Sequence, residues 1–270
     1  MRKVHCEFKT LVLGLITLFT HQAMADDTTD LAKASQNPVS NLISVPFNNN
    51  FNFDLRPQDK TQYILDIKPV VPIPINHTWN LITRTIIPII KQPNVQLPYN
   101  YIGGMGDINP SFFLTPAHPG KIIIGAGPTF ILPTATNKQL GQGKYSVGPS
   151  LVALSMPGSW VIGFLTSNVW SVGGQSNRPN VNFYTLQYFI NYNFSKGWFL
   201  TSAPIITANW NTTSKNRWTV PFGIGGGRVF KIGKQAINAS LQAYDNVINP
   251  RLGGANWQMQ FNVSLLFPEK

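Results

Sequence analysis

The chain is almost free of cysteine. Its single cysteine, Cys6, lies in an N-terminal segment that has the three parts of a secretory signal peptide. These parts are a positive start (Arg2, Lys3 and Lys9), the apolar stretch LVLGLITLF (11–19) and the small-x-small cleavage site AMA (23–25). We expect cleavage after residue 25, which leaves a chain with no disulfide and no thiolate metal ligand.

Long apolar runs are also missing. After residue 25, no run approaches the roughly 18–20 apolar residues that a transmembrane helix needs, so a helical membrane span is excluded. The 21 prolines and 22 glycines of the sequence argue against a helical protein. The 245 residues that follow the predicted signal peptide are enough for one all-β domain.

Charged residues are scarce and predominantly basic. They make up 11% of the sequence, and removing Arg2, Lys3, Lys9 and Glu7 with the signal peptide leaves 18 basic and 9 acidic residues, a net charge of +9. The basic residues form no cluster, so nucleic acid is not expected as a partner. An anionic lipid surface or anionic solutes fit this charge better.

Histidine is too rare for the usual hydrolytic or metal chemistry. After residue 25 only His77 and His118 remain, and both fall in tight turns of different hairpins. There is no GxSxG motif, and two histidines without cysteine form no metal-ligand set, so no catalytic residue, metal or cofactor is expected. The glycine-rich stretches GIGGGR (223–228) and GGMG (103–106) match neither GxGxxG before a helix nor a Walker sequence, and they indicate a bend or a close-packed strand face.

What the sequence does contain is a series of alternating segments. Twelve stretches of period-2 hydrophobicity are bounded by turn residues, and each is long enough for a tilted membrane strand of about 9–11 residues. They are 42–53, 61–74, 78–91, 106–116, 121–132, 144–155, 159–171, 181–194, 198–210, 217–230, 236–247 and 255–267. Ahead of them, DLAKASQNP (30–38) predicts a short helix with Asp30 as its N-cap.

The connections between these segments alternate in length. Tight turns at 75–77, 117–120, 156–159, 195–197 and 232–235 alternate with connections that are mostly longer and polar, such as 133–144 and 173–180. This alternation is typical of outer-membrane barrels, which have short periplasmic turns and long external loops. The repeat of about 40 residues also resembles propeller blades, but a blade holds four strands and each unit here holds two.

The alternation within the strands indicates which face meets lipid. In the last segment, Trp257, Met259, Phe261, Val263 and Leu265 oppose Gln258, Gln260, Asn262 and Ser264. In a barrel the apolar side faces lipid and the polar side faces the lumen, so we expect this strand to pair with 42–53 and close the barrel. All seven tryptophans lie near a turn or loop, which favours two interfacial girdles over rings that plug the ends of a sandwich. The faces of 159–171 are ambiguous.

Several stretches resemble those of a known Gram-negative family of outer-membrane β-barrels. They are NLISVPFNNNFNF (41–53), GMGDINPSFFLTP (104–116), LPTATNKQLGQGKYSVGPS (132–150), WSVGG (170–174), INYNFSKGWFLTSAPIITANW (190–210), WTVPFGIGGGRVFKIGKQ (218–235) and LLFP (265–268). The family is usually described as transporters and is similar to the barrels linked to the meta-pathway of phenol degradation. This resemblance implies a transport function but no substrate and no catalytic residue.

Together these features predict a single antiparallel transmembrane β-barrel of about 12 strands in an up-and-down meander. The chain then divides into a signal peptide (1–25), a short periplasmic segment (26–40) and an outer-membrane barrel (41–270). The expected partners are outer-membrane lipids and lipopolysaccharide, the barrel-assembly machinery and small solutes. Phe267 is followed by three further residues, whereas outer-membrane proteins commonly end on an aromatic residue.

Charged residues inside the predicted strands are candidates for the lumen. An Arg or Lys on the lipid face near the midplane costs about 2–4 kcal/mol, so these side chains should point inward. The candidate lumen-lining residues are Asp66, Lys68, Arg84, Asp107, Arg228, Gln258, Gln260 and Asn262. They either form ion pairs that fill a closed barrel or guide a solute. We expect passive or facilitated passage of small, anionic or aromatic solutes; the alternatives are a lipid-modifying enzyme of the outer membrane and a structural barrel with a filled lumen.

Overall fold

The fold is a closed antiparallel β-barrel of 12 strands with a meander order. The structure is a computed structural model that describes residues 28–94, 96–97 and 100–268, so the predicted signal peptide lies outside the described residues. The strands are β1 (Ile43–Leu55), β2 (Lys60–Ile67), β3 (Val70–Pro74), β4 (Trp79–Pro93), β5 (Tyr101–Met105), β6 (Asn109–Pro116), β7 (Ile122–Ile131), β8 (Lys144–Ser155), β9 (Trp160–Gly174), β10 (Asn182–Asn193), β11 (Trp198–Ser202), β12 (Ile205–Asn209), β13 (Trp218–Ile232), β14 (Gln235–Ile248) and β15 (Trp257–Phe267). Three barrel strands are interrupted and count as two segments each: β2–β3, β5–β6 and β11–β12.

The first and last strands close the barrel. They pair in antiparallel register from Ile43 opposite Phe267 to Phe53 opposite Trp257. This confirms the predicted pairing of 255–267 with 42–53. The even-numbered residues of both strands therefore lie opposite one another on the same face of the wall.

Side chains alternate between an apolar outer face and an inner face that is partly polar. In β13, Phe222 is 68% exposed and Ile224 is 61% exposed, whereas Val229 on the inner face is completely buried. The ambiguous segment 159–171 follows the same rule, because Ile162 points outward and Val161 inward. Its faces could not be assigned from sequence because its inner face is apolar too.

Three of the prolines within the predicted strand segments lie where the strand ladders are irregular, whereas Pro128 and Pro149 are paired with each other in the uninterrupted β7–β8 ladder. Pro69 and Pro204 occupy the interruptions between β2 and β3 and between β11 and β12, and Pro221 follows a register shift in β13. Proline has no N–H to donate to a ladder, so these breaks accommodate it without leaving a neighbouring carbonyl unpaired. Of the three positions, only Pro221 lies at a register shift within a strand, and the other two lie in breaks between strand segments.

Two predicted boundaries were wrong. The segment 101–105 was expected to be loop, but it is β5, which pairs with the end of β4; Gly103 and Gly104 hide its alternation. The N-terminal helix spans residues 28–36, with 28 as the first described residue, so Asp30 lies inside the helix rather than at its N-cap. A carboxylate in the first turns of a helix still interacts favourably with the helix dipole.

The two ends of the barrel differ. We call the end with the tight connections (75–78, 117–121, 156–159, 194–197 and 233–234) the short-turn end, and the opposite end the long-loop end. Short 3₁₀ turns lie at Ser195–Gly197 in the former and at Ser214–Asn216 in the latter. Tryptophans border both: Trp79, Trp160 and Trp198 at the short-turn end, and Trp170, Trp210, Trp218 and Trp257 at the other. Six of the seven are exposed on the outside, as two girdles require.

The N-terminal helix lies inside the barrel at the short-turn end. Leu31 and Ala32 are buried against Phe199, Val229 and Leu266, which point inward from β11, β13 and β15. Among the described residues, no helix is long and apolar enough to cross a membrane. The helix and the residues that follow it, 37–42, together form what we call the N-terminal segment.

Candidate functional site: the barrel lumen

One side of the lumen is open to solvent. Polar side chains of β1, β2 and β15 point inward, yet they are only partly buried: Asn48, Asn50, Asn52, Gln62, Gln258, Gln260 and Asn262. An inward-facing side chain in a closed barrel can reach solvent only through the lumen. The lumen is therefore not filled along these strands.

The opposite side of the lumen is apolar near the short-turn end. Its buried side chains come from seven consecutive strand segments and from Val39 of the N-terminal segment: Val70, Ile82, Phe113, Ile123, Val152, Leu154, Val161, Leu165 and Phe189. This cluster narrows the lumen from one side. The open path thus follows the amide-bearing strands.

A chain of hydrogen bonds, which we call the polar belt, runs along the inner wall from β2 to β14. Asn50 Nδ2 donates to Asp66 Oδ2 (3.1 Å), and Gln260 Nε2 donates to Asn50 Oδ1 (2.7 Å). Gln242 Nε2 donates to Gln260 Oε1 (3.1 Å), and Gln242 Oε1 accepts from the Tyr244 hydroxyl. A connected network of this kind satisfies the buried polar groups and holds the side chains against the wall.

At one end of the polar belt lies a cluster of three charged side chains. Lys68 Nζ is 3.2 Å from Asp66 Oδ2, and Lys68 is only 5% exposed. Arg84 interacts electrostatically with both. Within the described residues, however, the Arg84 guanidinium makes no hydrogen bond and no ion pair. The cluster therefore carries two positive charges and one negative charge.

Lys68 and Arg84 face a cavity of about 180 Å³, which we call the lower cavity. One part of its wall is the barrel, including Asn48, Asn191 and Asn262. The other part is residues 35–40 of the N-terminal segment. The lower cavity therefore lies between the lumen wall and this segment.

A second cavity, the upper chamber, lies nearer the long-loop end and measures about 300 Å³. Its walls combine apolar and polar side chains: Ile90, Ile131, Val169 and Phe183 with Asn109, Thr129, Ser167 and Thr185. On β4, Pro88 lines the upper chamber and Arg84 lines the lower cavity. A separation of four residues corresponds to about 13 Å along a strand.

One wall of the upper chamber is a loop that folds into the barrel, residues 132–143, here called the inward loop. Asp107 accepts hydrogen bonds from the backbone N–H of Ala135 (3.1 Å) and of Gln142 (2.6 Å). Arg178, from the neighbouring loop, donates to the carbonyls of Gln142 (3.0 Å) and Gly141. Bonds of this kind to charged side chains are stronger than neutral ones, so they fix the loop across the mouth.

The N-terminal segment is held in the lumen by polar contacts as well as by its apolar face. Gln36 Nε2 donates to Asn193 Oδ1 (2.9 Å), and Asn193 Nδ2 donates back to Gln36 Oε1 (3.0 Å). Asn238 Nδ2 donates to Ser35 Oγ (2.9 Å). These contacts reach two different walls, β10 and β14, so the segment spans the lumen at the short-turn end.

The structure places the sequence-predicted lumen residues as follows. Lys68, Arg84, Gln260 and Asn262 line the lower cavity, and Asp66 adjoins it through Lys68. Gln258 also points inward, where it donates to Asn246 (2.8 Å). Asp107 lines the upper chamber, but its carboxylate accepts hydrogen bonds from the inward loop. The role of these residues in guiding a solute stays a prediction.

Arg228 differs from the prediction, because it lies on the outer face. It has the parity of Phe222 and Ile224, and its guanidinium carbon is 5.1 Å from the centroid of the Trp198 ring. Its Nε donates to the Lys196 carbonyl in the adjacent turn (3.3 Å). At the end of a strand, an outward arginine can reach the membrane interface, so the midplane cost does not apply.

Sequence reasoning missed several lumen residues. Asn50, Gln242 and Tyr244 were not singled out, although the parity that places Gln260 inward also places its cross-strand partner Asn50 inward. Arg178 carries no sequence signal, because its role depends on the path of the inward loop.

The features expected of an enzyme are not brought together. His77 and His118 lie in different turns of the short-turn end. In the part of the chain that the structure describes, no three His, Cys, Asp or Glu side chains gather in a way that could hold a metal ion.

Comparison with known proteins places the fold among outer-membrane channels. A solved outer membrane channel from Pseudomonas putida matches with a TM-score of 0.61 at 14% identity, covering 84% of this chain and 94% of that one. The NanC porin matches with a TM-score of 0.54 at 8% identity, covering 84% of this chain and all of that one. No protein-family model and no curated protein sequence matches the chain. At these identities the likeness shows the fold alone.

Proposed function

We propose that the protein is an outer-membrane channel for the passage of small polar solutes. The observation that carries this proposal is the partial exposure of the inward-facing amides of β1, β2 and β15 within a closed barrel. A barrel with a purely structural role would have no need of a solvated, amide-lined side. The fold shared with a solved outer-membrane channel and a porin supports the same conclusion.

Among polar solutes, the channel favours anions. Lys68 and Arg84 face the lower cavity with Asp66 as the acidic side chain beside them, so the local field is positive. The apolar groups of the upper chamber, such as Ile131 and Phe183, suit an aromatic or aliphatic part of the same solute.

The proposed site of action is the outer membrane, with the short-turn end in the periplasm. The outer band of apolar side chains then contacts lipid, and the girdle tryptophans lie at the two interfaces. Arg228 and Trp198 meet phospholipid headgroups on the periplasmic side, while the long loops lie among lipopolysaccharide. Insertion requires the barrel-assembly machinery.

Swelling of proteoliposomes tests the proposal with two solutes of similar size, glucose and sodium glucuronate. Vesicles that contain the folded protein should take up both solutes, and glucuronate more readily. The double variant Lys68→Gln/Arg84→Gln should lose the preference for glucuronate but keep the uptake of glucose. Uptake of neither solute by a barrel whose folding is verified by heat-modifiable migration would refute the channel.

A second candidate is a structural barrel whose lumen is closed. The observation in its favour is the N-terminal segment, which fills the short-turn half of the lumen through Leu31, Val39 and Leu42. This candidate predicts no uptake of either solute in the wild-type protein and in variants that loosen the segment.

A further inference from the structure

The lower cavity has walls from two independently attached parts of the chain. Lys68 and Arg84 belong to the barrel wall, whereas Ser35, Asn37 and Ser40 belong to the N-terminal segment. The segment reaches the barrel elsewhere through Gln36 and Leu31, not through the charged cluster. A molecule in this cavity would therefore touch both parts at once.

The charge of the cluster is not balanced by the protein. Asp66 is 3.2 Å from Lys68 and also accepts a hydrogen bond from Asn50, so its near oxygen already has two donors. Arg84 interacts electrostatically with Asp66, but in the described part of the chain its guanidinium makes no hydrogen bond and no close ion pair. A cation withdrawn from bulk water is costly unless an opposite charge or a hydrogen-bond acceptor compensates it.

The other polar groups of the cavity favour an anion over a cation. The side chains of Ser44, Asn48 and Ser240 line the cavity and donate no hydrogen bond within the described residues, and no carboxylate is among the lining residues. A guanidinium binds carboxylate or phosphate oxygens in a planar, two-point arrangement that neither a lysine nor an amide reproduces. The volume of about 180 Å³ admits an ion of this size together with water.

We infer that the lower cavity is a binding site for one small oxyanion, a carboxylate or phosphate, held by Arg84 and Lys68 and covered by residues 35–40. The anion neutralises the surplus positive charge of the cluster. Because residues 35–40 form part of the wall, bound anion stabilises the seated N-terminal segment, and the seated segment raises the affinity for the anion. This reciprocity follows from thermodynamic linkage.

The inference rests on the proposed function for its biological meaning, since the site lies on the proposed solute path. A solute with a carboxylate would pause at this site, and its departure would leave the segment less firmly seated. The binding itself does not require conduction and can be measured separately.

Binding is tested on the folded, detergent-solubilised protein by titration calorimetry with sodium phosphate and with sodium acetate. The wild-type protein should bind at least one of the two, and Arg84→Gln should weaken that binding at least tenfold, as expected for the loss of a charged hydrogen-bonding partner. Arg84→Lys should recover only part of the affinity, because an ammonium lacks the two-point geometry. Lys215→Gln, in the exposed turn before β13, is the matched control and should bind as the wild type does.

Hydrogen exchange of residues 28–42, measured with and without the bound anion, tests the coupling. The anion should slow exchange in the wild type and in Lys215→Gln, and it should have no effect in Arg84→Gln. Absence of binding to both anions, or equal binding by Arg84→Gln, overturns the site; binding without slower exchange overturns its link to the segment. Neither result touches the proposed function, which fails only if the folded barrel takes up no solute.

Discussion

At the scale of single residues, Asp107 decides the position of the inward loop. Its two carboxylate oxygens accept from the backbone N–H groups of Ala135 and Gln142, at the two ends of a loop that has no regular secondary structure of its own. A charged side chain that accepts from two backbone donors replaces the ladder bonds that the loop lacks. Asp107 therefore contributes, together with Arg178, to the shape of the upper chamber.

We expect Asp107→Ala to release the inward loop. Each hydrogen bond to a charged group contributes about 1.5–3 kcal/mol, so amide exchange in 132–143 should accelerate at least tenfold while the strands stay protected. Hydrogen exchange with mass spectrometry measures this effect. Asp245→Asn, an exposed position on β14, is the control and should leave exchange in 132–143 unchanged. Unaltered exchange in Asp107→Ala would show that the other contacts of the loop, those of Thr134, Thr136 and Arg178, are enough to hold it.

The direction of a side chain, inward or outward, was predicted correctly where the alternation of the strand was used. It was predicted wrongly for Arg228, where the rule that charged side chains point inward was used instead. Gln258, Gln260 and Asn262 were placed inward by parity, and the structure has them there. Arg228 was placed inward only because it is charged, although its parity matched that of the outward-facing Phe222. Depth in the membrane, which sequence spacing does not give, separates an interfacial arginine from a midplane one.

At the scale of elements, the glycines of β13 allow the wall to bend closely around the lumen contents. A Cβ added at Gly227 would lie 2.5 Å from the Ala239 carbonyl oxygen and 2.5 Å from Cζ of Phe199. Phe199 packs against the N-terminal segment, so the missing side chain at Gly227 gives it room. The sequence alone indicated a bend or a close-packed face here, and the structure shows the close-packed face.

Gly227→Val should therefore destabilise the barrel by about 1–3 kcal/mol, the usual cost of overpacking. The temperature at which the folded band disappears in heat-modifiable gel migration should fall. Gly173→Ala in β9, where an added Cβ meets nothing within 4 Å, should leave that temperature unchanged. Equal behaviour of the two variants would contradict a packing role for Gly227.

The N-terminal helix is a second element whose contacts yield a prediction. Leu31 is 7% exposed inside the lumen, and its truncation to alanine should cost about 2–5 kcal/mol of packing. Exchange in 28–36 should accelerate, and uptake of solute by proteoliposomes should rise. Asp30→Asn, at an exposed position of the same helix, is the control. A loosened helix without greater uptake would show that the segment does not limit passage.

The strands of the barrel were more predictable from sequence than the inward loop and the N-terminal helix that lie within it. Alternation and turn residues located 12 strands, although β5 was missed and the faces of 159–171 could not be assigned because both are apolar. The inward loop and the seating of the helix depend on contacts between residues far apart in the chain, such as Gln36 with Asn193. No local pattern marks such contacts.

At the scale of the whole molecule, the seam between β1 and β15 closes the barrel. Asn48 and Asn262 are directly paired across it, at the Cα separation of about 4.5–5.5 Å that a disulfide accepts. With Cys6 replaced, the pair Asn48→Cys/Asn262→Cys should form an intramolecular disulfide under mild oxidation. The pair Asn48→Cys/Gln258→Cys, four residues out of register, should not. Mass spectrometry after alkylation distinguishes the two, and the opposite result would place the seam elsewhere.

We expect this barrel to conduct small anions through a solvated, positively charged lumen. Planar bilayers that contain the folded protein, held under a potassium chloride gradient, test it most directly. We predict discrete conductance steps whose reversal potential lies toward the chloride equilibrium potential. In Lys68→Gln/Arg84→Gln the reversal potential should shift toward zero. A folded barrel that gives no steps would contradict conduction, and a reversal potential that shows cation selectivity would contradict the preference for anions.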